Sequence, residues 1–135
     1  MSYRVADAFF GEDIDAETLK NIVYETLNFD VPLVHVKDEI YSLELFHGPT
    51  CAFKDVGARF MARLLSYFIK KQGQEKVNVL VATSGDTGSA VANGFLGVEG
   101  IHVYVLYPKG LVSGIQEMQF TTLGQNITAV EVDLS

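Results

Sequence analysis

The sequence predicts an α/β fold in which a parallel sheet is flanked by helices as a three-layer structure. After residue 50, short apolar runs of strand length alternate with longer segments of helical periodicity, and the connections between them are short. The run Val77–Thr83 shows almost no polar alternation. Such a run is typical of a parallel strand that is buried on both faces.

A helical segment and a β-hairpin are predicted ahead of this sheet. Residues 3–10 have a mixed pattern that suits a helix, and Asp15 is a typical N-cap for an amphipathic helix over 16–27. Two β-like runs, Val31–Lys37 and Ile40–Phe46, flank a two-residue turn. This spacing predicts an antiparallel hairpin.

The loops at one edge of the predicted sheet are where we expect function. The sheet region consists of a helix over 54–71, the strand Val77–Thr83, a helix ending near Leu96, the strand Val103–Tyr107, a helix from Ser113 to about Leu123, and the strand Ile127–Val132. Because crossovers between parallel strands are right-handed, the loops that follow the strands share one edge. Small ligands bind at this carboxyl edge in α/β sheets.

The composition is that of a globular domain. Hydrophobic residues make up 48% and charged residues 20% of the 135, which excludes a largely disordered chain. The net charge of −7 comes from residues 1–50, which hold 3 basic and 10 acidic side chains, whereas residues 51–135 hold 7 of each. Because there is no basic stripe, we expect no nucleic-acid partner.

The sequence also predicts a cytoplasmic location, with neither a membrane span nor a metal site. No apolar stretch approaches the ~18 residues of a span, and residues 1–4 do not start a signal sequence. Cys51 is the single cysteine, which excludes an internal disulfide and suits a reducing compartment. We expect it to fill a small buried space. One cysteine and three scattered histidines give no zinc-ligand spacing.

The first candidate for chemistry is Lys54, within the segment HGPTCAFKD at 47–55. A Gly-Pro turn leads from a strand into a helix, so the lysine stands at a helix start, where partial positive charge disfavours a cation. The apolar neighbours Phe53 and Val56 also favour the neutral amine, which is the nucleophile that forms a Schiff base. The alternative is an exposed lysine with Asp55 as its surface partner.

The second candidate is the loop TSGDTGS at 83–89, between a strand and a helix. Its glycines let backbone N–H groups face one point, the helix start adds positive potential, and Ser84 and Thr87 add hydroxyl donors. This pattern predicts a pocket for a small anion, and it is neither a Walker loop nor a Gly-x-Gly-x-x-Gly motif. The alternative is an ordinary capped turn. Asp86 is unsuited to an anion site, so we expect it to face a donor.

Three segments together resemble the threonine synthases, a family of pyridoxal-phosphate enzymes of the tryptophan-synthase-β type (fold type II). The segments are 47–55, 83–90, and Tyr107-Pro108-Lys109-Gly110 with Ser113 and Gln116. Their order and spacing match the family from about Val31 onward. The resemblance implies a partial N-terminal helical segment at 1–30 and, at 31–135, the small α/β domain that carries the cofactor lysine.

The resemblance also implies roles by position. Lys54 resembles the lysine that holds pyridoxal phosphate as a Schiff base and then moves protons. Asp86 stands where many relatives have an asparagine that faces the cofactor's 3′-oxygen, and Ser84, Gly85 and Thr87 resemble the loop that binds the substrate α-carboxylate. The implied reaction converts O-phospho-L-homoserine and water into L-threonine and phosphate, while the cofactor ring stores the carbanion charge.

The family's members are several hundred residues long, much longer than this chain. The glycine-rich loop that grips the cofactor phosphate and the residue that faces the pyridine nitrogen have no counterpart here, and the resemblance assigns both to a second, larger domain. We therefore expect an excised small domain, with Met1 as an artificial start. This domain is expected to fold, to bind pyridoxal phosphate weakly, to lack activity and to self-associate through exposed apolar surface.

Two other functions stay open from the sequence. Threonine dehydratase and cysteine synthase use pyridoxal phosphate and resemble this chain in fold. The strings His-Gly-Pro-Thr and Ser-Gly-Asp-Thr-Gly, however, are not typical of these two enzymes. Outside the enzymes, the chain could be a cofactor-free α/β module that binds a carboxylate or a partner protein.

Overall fold

The helices and strands follow the predicted order. The computed structural model describes residues 2–133, which form α1 (Ser2–Phe10), α2 (Ala16–Thr26), β1 (Leu33–Lys37), β2 (Ile40–Leu43), α3 (Lys54–Gln72), β3 (Val77–Ala82), α4 (Asp86–Phe95), β4 (Ile101–Pro108), α5 (Gly114–Thr121) and β5 (Ile127–Val132). The predicted α/β class is confirmed. The main differences in length are that β2 stops at Leu43 and that β4 already begins at Ile101.

The N-terminal helices pack on α3. Asp15 caps α2 as predicted, since its carboxylate accepts a hydrogen bond of 3.0 Å from the Thr18 N–H. Ile14 and Leu19 are fully buried in an apolar cluster that also contains Phe60 of α3. The hairpin of β1 and β2 is antiparallel as predicted, and all of its strand residues are exposed.

The sheet is parallel, with the strand order β3-β4-β5. Its register pairs Ala82 with Leu106 and Pro108 with Val132, so the carboxyl ends of all three strands lie along one edge. Helices α3, α4 and α5 cover one face of the sheet through a core that includes the fully buried Phe95 and Phe120. The parallel connectivity and the shared edge are therefore as predicted.

The second face of the sheet is open within residues 2–133. Along β3 the side chains alternate between half-buried and exposed, and Leu80 at its centre is 73% exposed. The prediction that Val77–Thr83 is buried on both faces is therefore wrong for the described residues. The sequence predicted three layers, with helices on both faces of the sheet. The described residues form the sheet and the helix layer on one of its faces. An apolar run identifies a strand, but it does not say what covers each face.

A close helix crossing sets the distance between the starts of α3 and α4. Gly94 of α4 lies against the backbone of α3, where a Cβ at this position would come within 3.0 Å of the Ala58 carbonyl carbon and 3.1 Å of the Arg59 nitrogen. The absent side chain permits this approach. As a result, the first residues of α3 and α4, Lys54 and Asp86, are neighbours at the carboxyl edge.

Candidate active site

Lys54 and Asp86 meet at the carboxyl edge of the sheet. The Lys54 Nζ donates a hydrogen bond of 2.9 Å to Asp86 Oδ2, although the two residues are 32 positions apart in the chain. Their side chains are 33% and 48% exposed, so the amine is accessible from solvent. The fold thus brings the two predicted segments, 47–55 and 83–89, into direct contact.

This contact is an ion pair. The hydrogen bond from Lys54 is the main cause that lowers the pKa of Asp86 below its ordinary value of 3.8, and partial burial opposes it. Asp86 therefore faces a donor, as predicted, and that donor is Lys54. The Lys54 amine thus faces a carboxylate oxygen at 2.9 Å.

Asp55 holds the turn that precedes Lys54. Its side chain is only 1% exposed and accepts two hydrogen bonds from Thr50, one of 2.9 Å from the backbone N–H and one of 2.6 Å from the hydroxyl. A Cβ at Gly48 would lie 2.5 Å from Asp55 Oδ2, so the turn needs glycine there. The alternative in which Asp55 is a surface partner of Lys54 is wrong, because Asp55 is buried and bonded to Thr50.

Cys51 is exposed, so the prediction of a buried filler is wrong. It is the last residue of a tight turn in which its N–H donates to the Gly48 carbonyl at 3.1 Å. Its backbone has a φ of +57°, in the left-handed region. The turn directs the side chain outward, and residue type alone gave no sign of this.

The Thr83 side chain makes hydrogen bonds inside the loop 83–89, the candidate anion-binding loop. Its hydroxyl oxygen accepts hydrogen bonds from the Gly85 N–H at 3.1 Å and from the Gly88 N–H at 3.0 Å, and it donates to the Gly85 carbonyl. Two of the N–H groups expected to face an anion are therefore satisfied inside the loop. The hydroxyl-bearing residues Ser84 and Thr87 are exposed. This role of Thr83 was not predicted, although a threonine that precedes a glycine-rich turn is a recurrent local hydrogen-bonding motif.

A cavity of about 590 Å³ lies beside the ion pair. It opens between the end of the hairpin, the turn before α3 and the start of α5, and its lining includes Phe46, Thr50, Cys51, Phe53, Asp86 and Gln116. Phe53 also places its ring 5.0 Å from the Lys54 amine, measured to the ring centroid. The site therefore combines an accessible amine, a carboxylate and a space large enough for a small molecule.

A second cavity, of about 390 Å³, lies at the same edge next to the loop 83–89. It is lined by Ala82, Thr83, Ser84, Leu106, Tyr107, Pro108 and Val132. Ser84 thus faces a cavity on the open side of the sheet. Gly85 contacts α5, where a Cβ at this glycine would come within 3.0 Å of the Gln116 amide nitrogen.

Membrane spans and metal clusters are absent from the part of the chain that the structure describes. None of the five helices in residues 2–133 is long and apolar enough to cross a membrane. No three His, Cys, Asp or Glu side chains in this range are grouped so that they could hold a metal ion. The histidines are bonded separately: His35 to the Asp38 carbonyl, His47 to Glu44 and His102 to Thr128.

Known proteins match this chain over nearly its whole length. The threonine synthase of Serratia marcescens is 47% identical over 132 residues and that of Escherichia coli (strain K12) is 46% identical over 132 residues, and each match covers 98% of this chain. The chain is homologous to threonine synthase. It spans about 30% of the length of each of these relatives. No family model matches the chain.

Solved threonine synthase structures contain the same fold. The crystal structure of the Escherichia coli enzyme superposes with a TM-score of 0.86 at 45% identity, and covers 97% of this chain and 30% of that one. A threonine synthase from Brucella melitensis with bound pyridoxal phosphate gives a TM-score of 0.89 at 36% identity over 96% of this chain and 29% of that one. The family resemblance seen in the sequence is thereby confirmed, with the chain matching one part of the threonine synthase fold.

Proposed function

We propose that the complete protein that carries this sequence is a threonine synthase, which converts O-phospho-L-homoserine and water into L-threonine and phosphate with pyridoxal phosphate bound to Lys54. The observation that carries this proposal is the contact of 2.9 Å between Lys54 and Asp86 beside a cavity at the carboxyl edge of the sheet. Lysine amines capture aldehydes, and this edge is where α/β sheets bind small ligands. The homology to threonine synthases supports the substrate assignment.

The residues at this edge fit one end of the cofactor. The Lys54 amine is accessible, and the Asp86 carboxylate can accept a proton or a hydrogen bond beside it. When bound, pyridoxal phosphate supplies a conjugated ring that stores the electrons of a substrate carbanion. In this proposal, a second and larger domain of the complete protein holds the phosphate and the pyridine nitrogen of the cofactor. Residues 31–135 are the small domain, and residues 1–30 are a partial N-terminal helical segment.

Lys54 acts as the proton carrier in this proposal. The reaction removes protons from Cα and Cβ of the substrate and releases phosphate from Cγ. It then returns a proton to Cγ, adds water at Cβ and returns a proton to Cα. A single amine on a long side chain reaches neighbouring carbons in turn, which suits one base for several steps. The carboxylate of Asp86 holds the amine at the mouth of the cavity between these steps, since it accepts the hydrogen bond from Nζ.

The loop 84–87 binds the substrate α-carboxylate. Ser84 and Thr87 contribute exposed hydroxyl donors. Gly85 contributes space rather than its N–H group, because that N–H is bonded to Thr83 and because a Cβ there would meet Gln116. Binding of the carboxylate at this loop orients the substrate α-carbon toward Lys54.

The direct test measures phosphate release from O-phosphohomoserine by the complete protein, against keto-acid formation from threonine. We expect phosphate release, and we expect Lys54→Ala to lower it by about 1,000-fold or more, because the base and cofactor anchor are lost together. Lys70→Ala is the matched control, since Lys70 lies near the other end of α3, 64% exposed and paired with Glu99. Keto acid as the main product would assign a threonine dehydratase instead.

The remaining assignments concern the chain in its cellular setting. We propose that the protein is cytoplasmic, that its small-molecule partner is O-phosphohomoserine and that the present chain alone folds without catalysing the reaction. Fractionation of cells that produce the complete protein tests the location. Assay of the 135-residue chain tests the lack of activity, because turnover at the rate of the complete protein would contradict it.

A further inference from the structure

Gln116 reaches from α5 back to the loop 83–89. It is the third residue of α5, and a Cβ at Gly85 would lie 3.0 Å from its amide nitrogen Nε2 and 3.3 Å from its amide oxygen Oε1. Gln116 also lines the cavity that contains Asp86. Its amide therefore faces the loop to which the substrate carboxylate is assigned.

Two hydrogen bonds hold Gln116 in place, one to its side-chain amide and one to its backbone. The Ser113 hydroxyl donates a hydrogen bond of 3.0 Å to Gln116 Oε1, so the oxygen is satisfied and the NH₂ group points elsewhere. The Ser89 hydroxyl donates to the Gln116 backbone carbonyl at 3.4 Å, which ties this turn of α5 to α4. The Nε2 atom lies on the side of Gly85, 3.0 Å from where a Cβ of that residue would be.

The charged residues at the cavity of about 590 Å³ determine which groups could hold a substrate carboxylate there. Among the described residues that line the cavity of about 590 Å³, Asp86 is charged and there is no lysine or arginine. The nearby cation, Lys54, is paired with Asp86. An incoming carboxylate would therefore be held by hydroxyl and amide donors, and an amide NH₂ offers two N–H groups.

We infer that Gln116 is a further substrate-binding residue, whose amide NH₂ donates to the α-carboxylate of the substrate where the loop 84–87 borders the cavity of about 590 Å³. Ser113 positions this amide by holding its oxygen. The inference rests on the proposed function, because it uses the same carboxylate site. It makes Gln116 a determinant of specificity, which separates amino acids from amines that have no carboxylate.

The test is a binding titration of the complete protein loaded with pyridoxal phosphate, followed by the visible absorbance of the cofactor. One ligand is L-threonine, and the other is isopropanolamine, which has the same skeleton without the carboxylate. Gln116→Glu replaces the donor by an acceptor of the same shape, and Gln116→Met removes it without adding charge. We expect both variants to weaken threonine binding by about tenfold or more and to leave isopropanolamine binding unchanged.

Gln125→Glu is the matched control, because Gln125 precedes β5 at the opposite edge of the sheet. It should bind both ligands as the unsubstituted protein does, and in steady-state assays the Gln116 variants should show a larger change in KM than in kcat. Unchanged threonine binding in both Gln116 variants, or an equal loss for both ligands, overturns the inference while the proposed function stands. If the unsubstituted protein shows no cofactor absorbance, the proposed function and this inference fail together.

Discussion

At the scale of single residues, Asp55 stabilises the turn that delivers Lys54 to the site. Asp55→Ala would leave the Thr50 N–H and hydroxyl without their acceptor in a buried position. We expect a loss of about 2–4 kcal/mol in the free energy of unfolding, measured by urea denaturation. Asp55→Asn keeps the shape and one acceptor oxygen, so its loss should be smaller. Equal stability of the alanine variant and the unsubstituted chain would show that this turn is held by other contacts.

The ion pair of Lys54 and Asp86 predicts a dependence of stability on pH. The folded state lowers the pKa of Asp86 below 3.8, so the pair stabilises the fold above that pH, and this stabilisation is lost as the pH falls through the lowered value. The contribution is at most about 1 kcal/mol, because water screens a pair that is this exposed. Urea denaturation of Asp86→Asn should therefore show a deficit at pH 6 that shrinks toward pH 3. A deficit that grows with acid would contradict the assigned direction.

The sequence singled out the candidate site residues that the fold brings together, but it did not predict the residues that hold them in place. Lys54 and the loop around Asp86 were recognisable because a lysine at a helix start and a Ser-Gly-Asp-Thr-Gly string are unusual local patterns. Asp55 was misread, since an acidic residue in a first helical turn is common on surfaces. The burial of Asp55 depends on a turn geometry that only coordinates show, and the exposure of Cys51 follows from the same turn.

At the scale of helices and strands, the contact of α4 with α3 through Gly94 sets the position of the ion pair. Gly94→Ala would press a Cβ against the backbone at Ala58, which cannot move aside as a side chain can. We expect a loss of about 1–3 kcal/mol in thermal unfolding, because the strain of overpacking exceeds the gain in helix propensity.

Gly57→Ala is the control for this prediction. Gly57 also lies in a helix, but a Cβ there would meet nothing within 4 Å. Its replacement should therefore raise stability by about 0.5–1 kcal/mol. If both variants changed the melting temperature in the same direction, the close approach at Gly94 would not be the cause.

Periodicity predicted the existence and order of these elements well. The caps at Asp15 and Ser113 are local features, so they can be read from neighbouring residues. The open face of β3 could not be read in this way. A valine or leucine in a strand has the same local pattern whether its outer face meets a helix or solvent, because tertiary packing decides this.

At the scale of the whole molecule, the open face of the sheet predicts self-association of the isolated chain. Leu80 is 73% exposed and pairs in register with Tyr104, and Val130 on the same sheet is 38% exposed. Because exposed apolar patches drive association, sedimentation velocity should show dimers or larger species at micromolar concentration. Leu80→Asp should shift the chain toward monomer, whereas Leu111→Asp should not, since Leu111 lies in a turn outside the sheet. A monomeric unsubstituted chain would contradict this prediction.

The site as a whole was predictable in outline because its two halves are contiguous segments. The family resemblance required only the strings 47–55 and 83–90 in the right order, and homology to threonine synthases confirms it. The geometry that joins the two strings was not predictable. This geometry depends on the crossing of α3 and α4 and on the side chain of Gln116. A capping pattern at 113–116 is enough to account for Gln116, so the sequence did not mark it as a ligand-binding residue.

The capture of an aldehyde by the Lys54 amine is the claim on which the proposed chemistry depends. Its most direct test is reduction of the chain with borohydride in the presence of excess pyridoxal phosphate, followed by peptide mapping. We expect the pyridoxyl group on the peptide that contains Lys54, because the amine there is accessible and is held beside a cavity. Labelling spread over the other surface lysines, with no preference for Lys54, would contradict it.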